Sequence, residues 1–201
     1  MPITSNHSPK KVRRVFFCLL LLFMVPLLLA SWMAFKHKSL PSHTTNHGQL
    51  LQPPLDISQL KLADDSQVGK GHWLLLYVSP NQCDKSCEKA LYDIRQIRTA
   101  TGKDSDRVQR AILTFSNAPK DPHLQELLNN EFKGTLHVTA SKKNFKQFVQ
   151  SSAFLETTLQ ADGIIYVVDP LGNVMMFYSL ESEPMGIFKD LTRLLKLSHI
   201  G

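Results

Sequence analysis

Apolar and polar positions divide the chain into one long uncharged run followed by short alternating or periodic segments. Val15 to Phe35, VFFCLLLLFMVPLLLASWMAF, carries no charge, and a helix of that length crosses a hydrocarbon core of about 30 Å. Pro26 kinks such a helix without breaking it. Lys36 to about Pro54 is polar, proline-punctuated and aperiodic, and reads as a linker. Residues 55–68 predict a short edge strand. Trp73 to Val78 has the length and composition of a core strand, which Pro80 and Asn81 break. A helix with Leu91, Ile94 and Ile97 on one face follows and stops near Gly102.

Val108 to Phe115 predicts a second core strand. Asp121 to Phe132 places Leu124, Leu127 and Leu128 at helical spacing, with Pro122 in the first turn and His123 exposed. Thr135 to Ala140 is a short strand, and Ser141 caps a helix to about Gln150 that turns Phe145, Phe148 and Val149 to one side. Ile164–Val168 and Val174–Tyr178 flank the turn Asp169-Pro170-Leu171-Gly172-Asn173, which makes them an antiparallel hairpin. A closing helix from about Pro184 to Leu197 shows Phe188, Leu191, Leu194 and Leu195 on one side. Early strands separated by helices imply parallel crossovers, and the hairpin adds an antiparallel part. The fold class is therefore α/β, a mixed central sheet flanked by helices. The expected organisation is a basic tail at 1–14, a transmembrane helix at 15–35, a linker at 36–54 and one domain at 55–201, long enough for a single core.

The net charge of +6 comes partly from Lys10, Lys11, Arg13 and Arg14, just ahead of the apolar run. That cluster sets membrane orientation: the N-terminus stays in the cytoplasm and everything after residue 36 is sent across. No nucleic-acid-binding motif or basic-aromatic stripe is present. A cleaved signal peptide also begins with basic residues, but its apolar region is shorter and ends in small residues, whereas this run ends in Trp32, Met33 and Phe35. The expected localisation is the inner (plasma) membrane, single-pass, with a periplasmic C-terminal domain.

Of the three cysteines, Cys18 lies in the span and is assigned no chemistry. Cys83 and Cys87 stand at the junction of the first core strand and its helix. If both are helical, they face one side a turn apart and can share a bond or an ion. A thiolate at a helix N-terminus is favoured by unpaired N–H groups and the macrodipole; Lys85 and Lys89 push the same way, Asp84 and Glu88 against. A purely structural bridge would contribute about 2 kcal/mol, because its loop is short, and remains the alternative to redox or metal chemistry. In an extracytoplasmic domain such a pair needs a reductant or a metal to stay open. His37, His43 and His47 belong to the linker, where no fixed metal geometry is implied. Met175 and Met176 read as hairpin residues, not thioether ligands.

The cysteine pair in LLLYVSPNQCDKSCEKAL, the hairpin YVVDPLGNVMMFY and the N-terminal anchor together resemble the thioredoxin superfamily, and within it the Sco/SenC group of membrane-anchored proteins that handle copper during cytochrome c oxidase assembly. The spacing is Cys-x-x-x-Cys, not the Cys-x-x-Cys of thioredoxin. The resemblance implies a thioredoxin-like domain over roughly residues 55–197, Cys83 and Cys87 as functional residues and Cu(I) ligands, and a cytochrome c oxidase subunit or other copper-handling protein as partner. The copper-carrying members add a histidine shortly before the hairpin. Here that position falls in ETTLQADGII, which has none, and losing an imidazole weakens or reshapes a soft-metal site. His72 and His137 read as ordinary strand-region histidines. No proline precedes Ile164, where thioredoxins place a cis-proline.

Three functions follow in order. The first is an assembly factor using the pair for thiol redox or Cu(I) handling. The second is a dedicated thiol-disulfide reductase in which Cys83, the more exposed thiol, attacks and Cys87 resolves. The third is a non-catalytic scaffold of the oxidase assembly machinery. Whether the chain is an enzyme stays open between them.

Overall fold

A computed structural model describes residues 9–36, 45–63, 68–80, 82–150, 163–198 and 200. The chain divides into two units, Met1–Thr45 and Asn46–Gly201. The first contains one helix, α1 (Pro9–Lys36), with Pro26 inside it. Its segment Arg13–Trp32 is long and apolar enough to cross a membrane. Cys18 is free and exposed on this helix.

The second unit runs β1 (Gln49–Asp56), a 3-10 turn (Ile57–Leu60), β2 (Trp73–Val78), α2 (Lys85–Ala100), a second 3-10 segment (Gly102–Arg107), β3 (Val108–Phe115), α3 (Pro122–Asn130), β4 (Thr135–Ala140), α4 (Lys142–Gln150), β5 (Ile164–Val168), β6 (Asn173–Ser179) and α5 (Pro184–Leu197). One sheet takes the order β1-β6-β5-β2-β3-β4. β2 pairs parallel with β3, and β3 with β4, while β2–β5, β5–β6 and β6–β1 are antiparallel. This is the mixed central sheet that the order of apolar segments predicts.

β2 is buried at every position because both sheet faces are covered. Leu74, Leu76 and Val78 join Phe145, Phe148 and Val149 of α4 and Leu60 of the 3-10 turn. Trp73, Leu75 and Tyr77 face the other way, toward Leu91 and Ile94 of α2, Leu124 of α3 and Leu191 of α5. The β5–β6 turn is fixed by Asp169, whose Oδ1 accepts the N–H of Leu171 at 2.9 Å and of Asn173 at 2.8 Å. Gly172 there takes a φ of 93°, open to glycine at little cost.

The start of the domain needs a correction. The strand expected within 55–68 is β1 at Gln49–Asp56, so it occupies the end of the segment read as the 36–54 linker. Pro53 and Pro54 interrupt its ladder, and the register with β6 shifts between Leu50 and Leu55. An edge strand tolerates them because one side of its backbone needs no sheet partner, and the same prolines give the segment its linker-like composition. Just ahead, His47 and Gly48 are tied to α5. Oδ2 of buried Asp190 accepts the N–H of His47 at 2.7 Å, the N–H of Gly48 at 2.9 Å and the hydroxyl of Tyr178 at 2.9 Å. Nδ1 of His47 lies 3.1 Å from Oδ1. Gly48 passes so close to the Tyr178 ring that a Cβ there would collide with it.

Candidate functional site

The site lies where β2 ends, beside the carboxyl ends of β3 and β4. The Ser79 N–H donates to Leu113 O at 2.9 Å, extending the β2–β3 ladder one step. The chain then turns into α2, whose N-cap is Asp84; its side chain accepts the N–H of Ser86 and of Cys87. Cys83 therefore precedes the cap and only Cys87 is helical, so the pair does not sit one turn apart on a helix face. Their Cα atoms lie 5.1 Å apart and the two sulfurs are joined as a disulfide. Cys83 is 8% exposed and Cys87 1%. Both join the core cluster with Leu91 and Ile94, Cys83 being slightly the more accessible.

Acidic groups frame the pair. Asp121, the N-cap of α3, accepts the Cys83 N–H on Oδ2 at 2.6 Å and the Leu124 N–H on Oδ1 at 3.0 Å. Burial pushes its carboxyl up, but those two N–H groups and the nearby His123 outweigh burial and leave its pKa lowered. Asp84 is lowered as well, first by the Ser86 hydroxyl and then by the Cys87 N–H. Glu88 Oε1 lies 2.8 Å from His123 Nε2, and that bond raises the His123 pKa. Lys89, expected to favour a thiolate, is committed to Asp93 at 2.7 Å. Asp121 was not legible as a partner of Cys83, because the bond spans loops far apart in the chain. The one local signal was an acidic residue directly before Pro122 at a helix start.

Two cavities border the loop that follows β2. One of about 460 Å³ is bounded by Gln82, Thr114, Phe115, Asp121, Leu124 and His137. The other, of about 290 Å³, lies between Val78, Pro80, Phe115, Phe145, Gly163 and Ile164, with Lys142 and Lys146 at its margin. At the position before Ile164 stands Gly163, with φ 151°. A Cβ there would lie 2.6 Å from the Tyr77 ring.

None of the described histidines joins the sulfurs in a ligand set. Nδ1 of His72 lies 3.0 Å from Lys70 O, His47 belongs to the Asp190 cluster, and both ring nitrogens of His137 are engaged by Thr114 and Gln125. Met176 is buried in the core cluster, with Met175 packed against it. His37, His43 and the ETTLQAD stretch lie outside the described residues. Among the described residues no group of three or more His, Cys, Asp or Glu gathers as a metal site. Among the described residues, the two sulfurs of the disulfide are the soft donors brought together here.

A family model described as transmembrane-like, thioredoxin-like, C-terminal domain matches residues 73–198, from the first residue of β2 to just past α5. The chain belongs to this family. Among solved structures, this thioredoxin-like domain is similar to copper-bound yeast Sco1, with a TM-score of 0.50 and 16% identity over 80% of this chain and 96% of that one. Copper-bound ScoI of Arabidopsis thaliana gives 0.49 at 14% identity, over 75% of this chain and 99% of that one. A thiol:disulfide interchange protein from Bacteroides sp. gives 0.45 at 13%, over 64% and 76%. At these identities the likeness is one of fold. No curated protein matches the chain.

Proposed function

We propose that this chain is a membrane-anchored thiol-disulfide exchange protein whose Cys83–Cys87 pair reduces a client's disulfide outside the cytoplasm. The observation that carries the reading is the bonded pair at the carboxyl end of β2, in which Cys83 is the more accessible sulfur-bearing residue and Cys87 is fully buried. In the reduced form, the Cys83 thiolate attacks a client disulfide and forms a mixed disulfide, and the leaving client sulfur takes a proton. The Cys87 thiolate then attacks the Cys83 sulfur. The second client thiol is released, the Cys83–Cys87 bond forms, and two electrons have passed to the client. A dithiol donor restores the starting state.

The client fits the resemblance of the cysteine and hairpin motifs to the Sco/SenC pattern: copper-site cysteines of a cytochrome c oxidase subunit, which bind metal only when reduced. The basic cluster Lys10 to Arg14, in the first turns of α1 and ahead of its apolar run, supports a cytoplasmic N-terminus and a periplasmic domain. Adjacent reduced sulfurs also suit Cu(I) as cargo, a second reading that titration of the reduced chain with Cu(I) against a competing chelator tests directly.

Exchange itself is tested with the full chain in detergent, a small aromatic disulfide as substrate and a dithiol as reductant. Turnover above the dithiol background, lost in Cys83→Ala, is expected, and Cys87→Ser should accumulate a covalent adduct. Turnover no faster than background with a fully reducible pair sinks the reading.

A further inference from the structure

The cavity of about 460 Å³ beside the disulfide has no part in the electron transfer just described. It lies at the carboxyl ends of the parallel strands β3 and β4, the end at which open α/β sheets bind ligands. Its size falls in the range of preformed ligand pockets. It is also coupled to the reactive sulfur, because Asp121 both lines it and accepts the Cys83 N–H at 2.6 Å. An occupant pressing on Asp121 presses on the loop that holds Cys83.

The lining chemistry narrows the occupant. Phe115 and Leu124 supply apolar wall. His137, itself exposed, supplies a polar edge, its Nε2 2.8 Å from Thr114 Oγ1 and its Nδ1 3.0 Å from Gln125 Nε2. With the amide donating to Nδ1, the ring is neutral and Nε2 donates to Thr114; desolvation lowers the His137 pKa in the same sense. The Asp121 carboxylate is taken up by two N–H groups. The rim residues Ala118 and Lys120 are exposed, as is Gln82 beside Cys83, so a chain can lie across both cavity and sulfur.

We propose that this cavity is the client-recognition pocket, taking an aromatic side chain, such as tyrosine, against the Phe115 and Leu124 wall, from the residues flanking the client cysteine that Cys83 attacks. This rests on the exchange activity proposed above. The pocket sets which disulfides are presented and leaves the sulfur chemistry to the pair.

The test uses the full chain in detergent, a dithiol reductant and three substrates: a short peptide with an internal disulfide flanked by tyrosine, the same peptide with aspartate in its place, and a small aromatic disulfide. The tyrosine peptide should show a KM about tenfold below the aspartate peptide. Ala118→Trp, which plugs the exposed rim, should erase that preference through KM and lower the ratio of tyrosine-peptide to small-disulfide kcat/KM about tenfold. Gln125→Ala, which frees the His137 ring on an exposed helix face, should weaken the preference in the same direction. Equal KM values for the two peptides, or a preference that survives both variants, overturns the pocket. Competitive inhibition of the tyrosine peptide by free glutathione but not by the reduced tyrosine peptide overturns the assignment to polypeptide. Failure of the wild type on the small disulfide overturns the exchange activity instead.

Discussion

Asp190→Ala removes one carboxylate and leaves three donors without an acceptor: the N–H of Gly48, the hydroxyl of Tyr178 and the N–H of His47. A buried donor left unsatisfied costs about 1–3 kcal/mol. The Gly48 and Tyr178 bonds are buried and the His47 bond is part-buried, where water replaces much of the loss. A destabilisation of about 3–4 kcal/mol follows, or roughly 10 °C in Tm for a domain of this size. The loss should also depend on pH. Burial raises the Asp190 pKa, but the N–H of Gly48, the His47 ring and the Tyr178 hydroxyl outweigh it and leave the carboxyl below its usual range. Such a group contributes fully above its unfolded value, near 3.9, and loses the contribution as pH falls through the lower folded value. Guanidinium unfolding followed by near-UV circular dichroism, on wild type and Asp190→Asn, should show a gap that is widest at neutral pH and closes below about pH 4. A loss under about 1 kcal/mol for Asp190→Ala, or an Asn gap unchanged between pH 3 and 7, refutes the account.

Reducing the Cys83–Cys87 bridge should cost about 2 kcal/mol by the loop-entropy estimate, read as the difference in denaturation midpoint between oxidised and reduced chain. Gly163→Ala should cost about 1–3 kcal/mol from overpacking against the Tyr77 ring, where a Cβ would lie 2.6 Å away; unchanged thermal stability would show that the ring yields freely. The His123 proton resonances should titrate above the ordinary 6.5, because Glu88 holds the charged form, and Glu88→Gln should bring the midpoint down.

Periodicity made most of the fold legible. The apolar run of β2, the alternation in β6 around the Asp169 turn and the spaced leucines of α3 each report burial on known faces, and the structure places them accordingly. β1 was hidden because edge strands accept prolines that a central strand could not. The junction leaves open whether Cys83 is helical, and Asp84, the N-cap directly after it, places Cys83 just before the helix. The pair of cysteines was visible as a pair, but its setting was not. The Asp121–Cys83 bond, the His137 contacts and the Asp190 cluster are made by residues distant in sequence, and no local pattern announces that two loops will meet.

The sheet order carries a consequence for how the domain meets other molecules. β1, where the chain from the apolar helix enters, and β4, which borders the larger cavity, are the two outermost strands. Five inter-strand steps at about 4.8 Å separate them, roughly 24 Å. The disulfide at the end of β2 lies two strands in from β4 and three from β1, so an approach over β4 reaches it without passing the strand at which the domain begins.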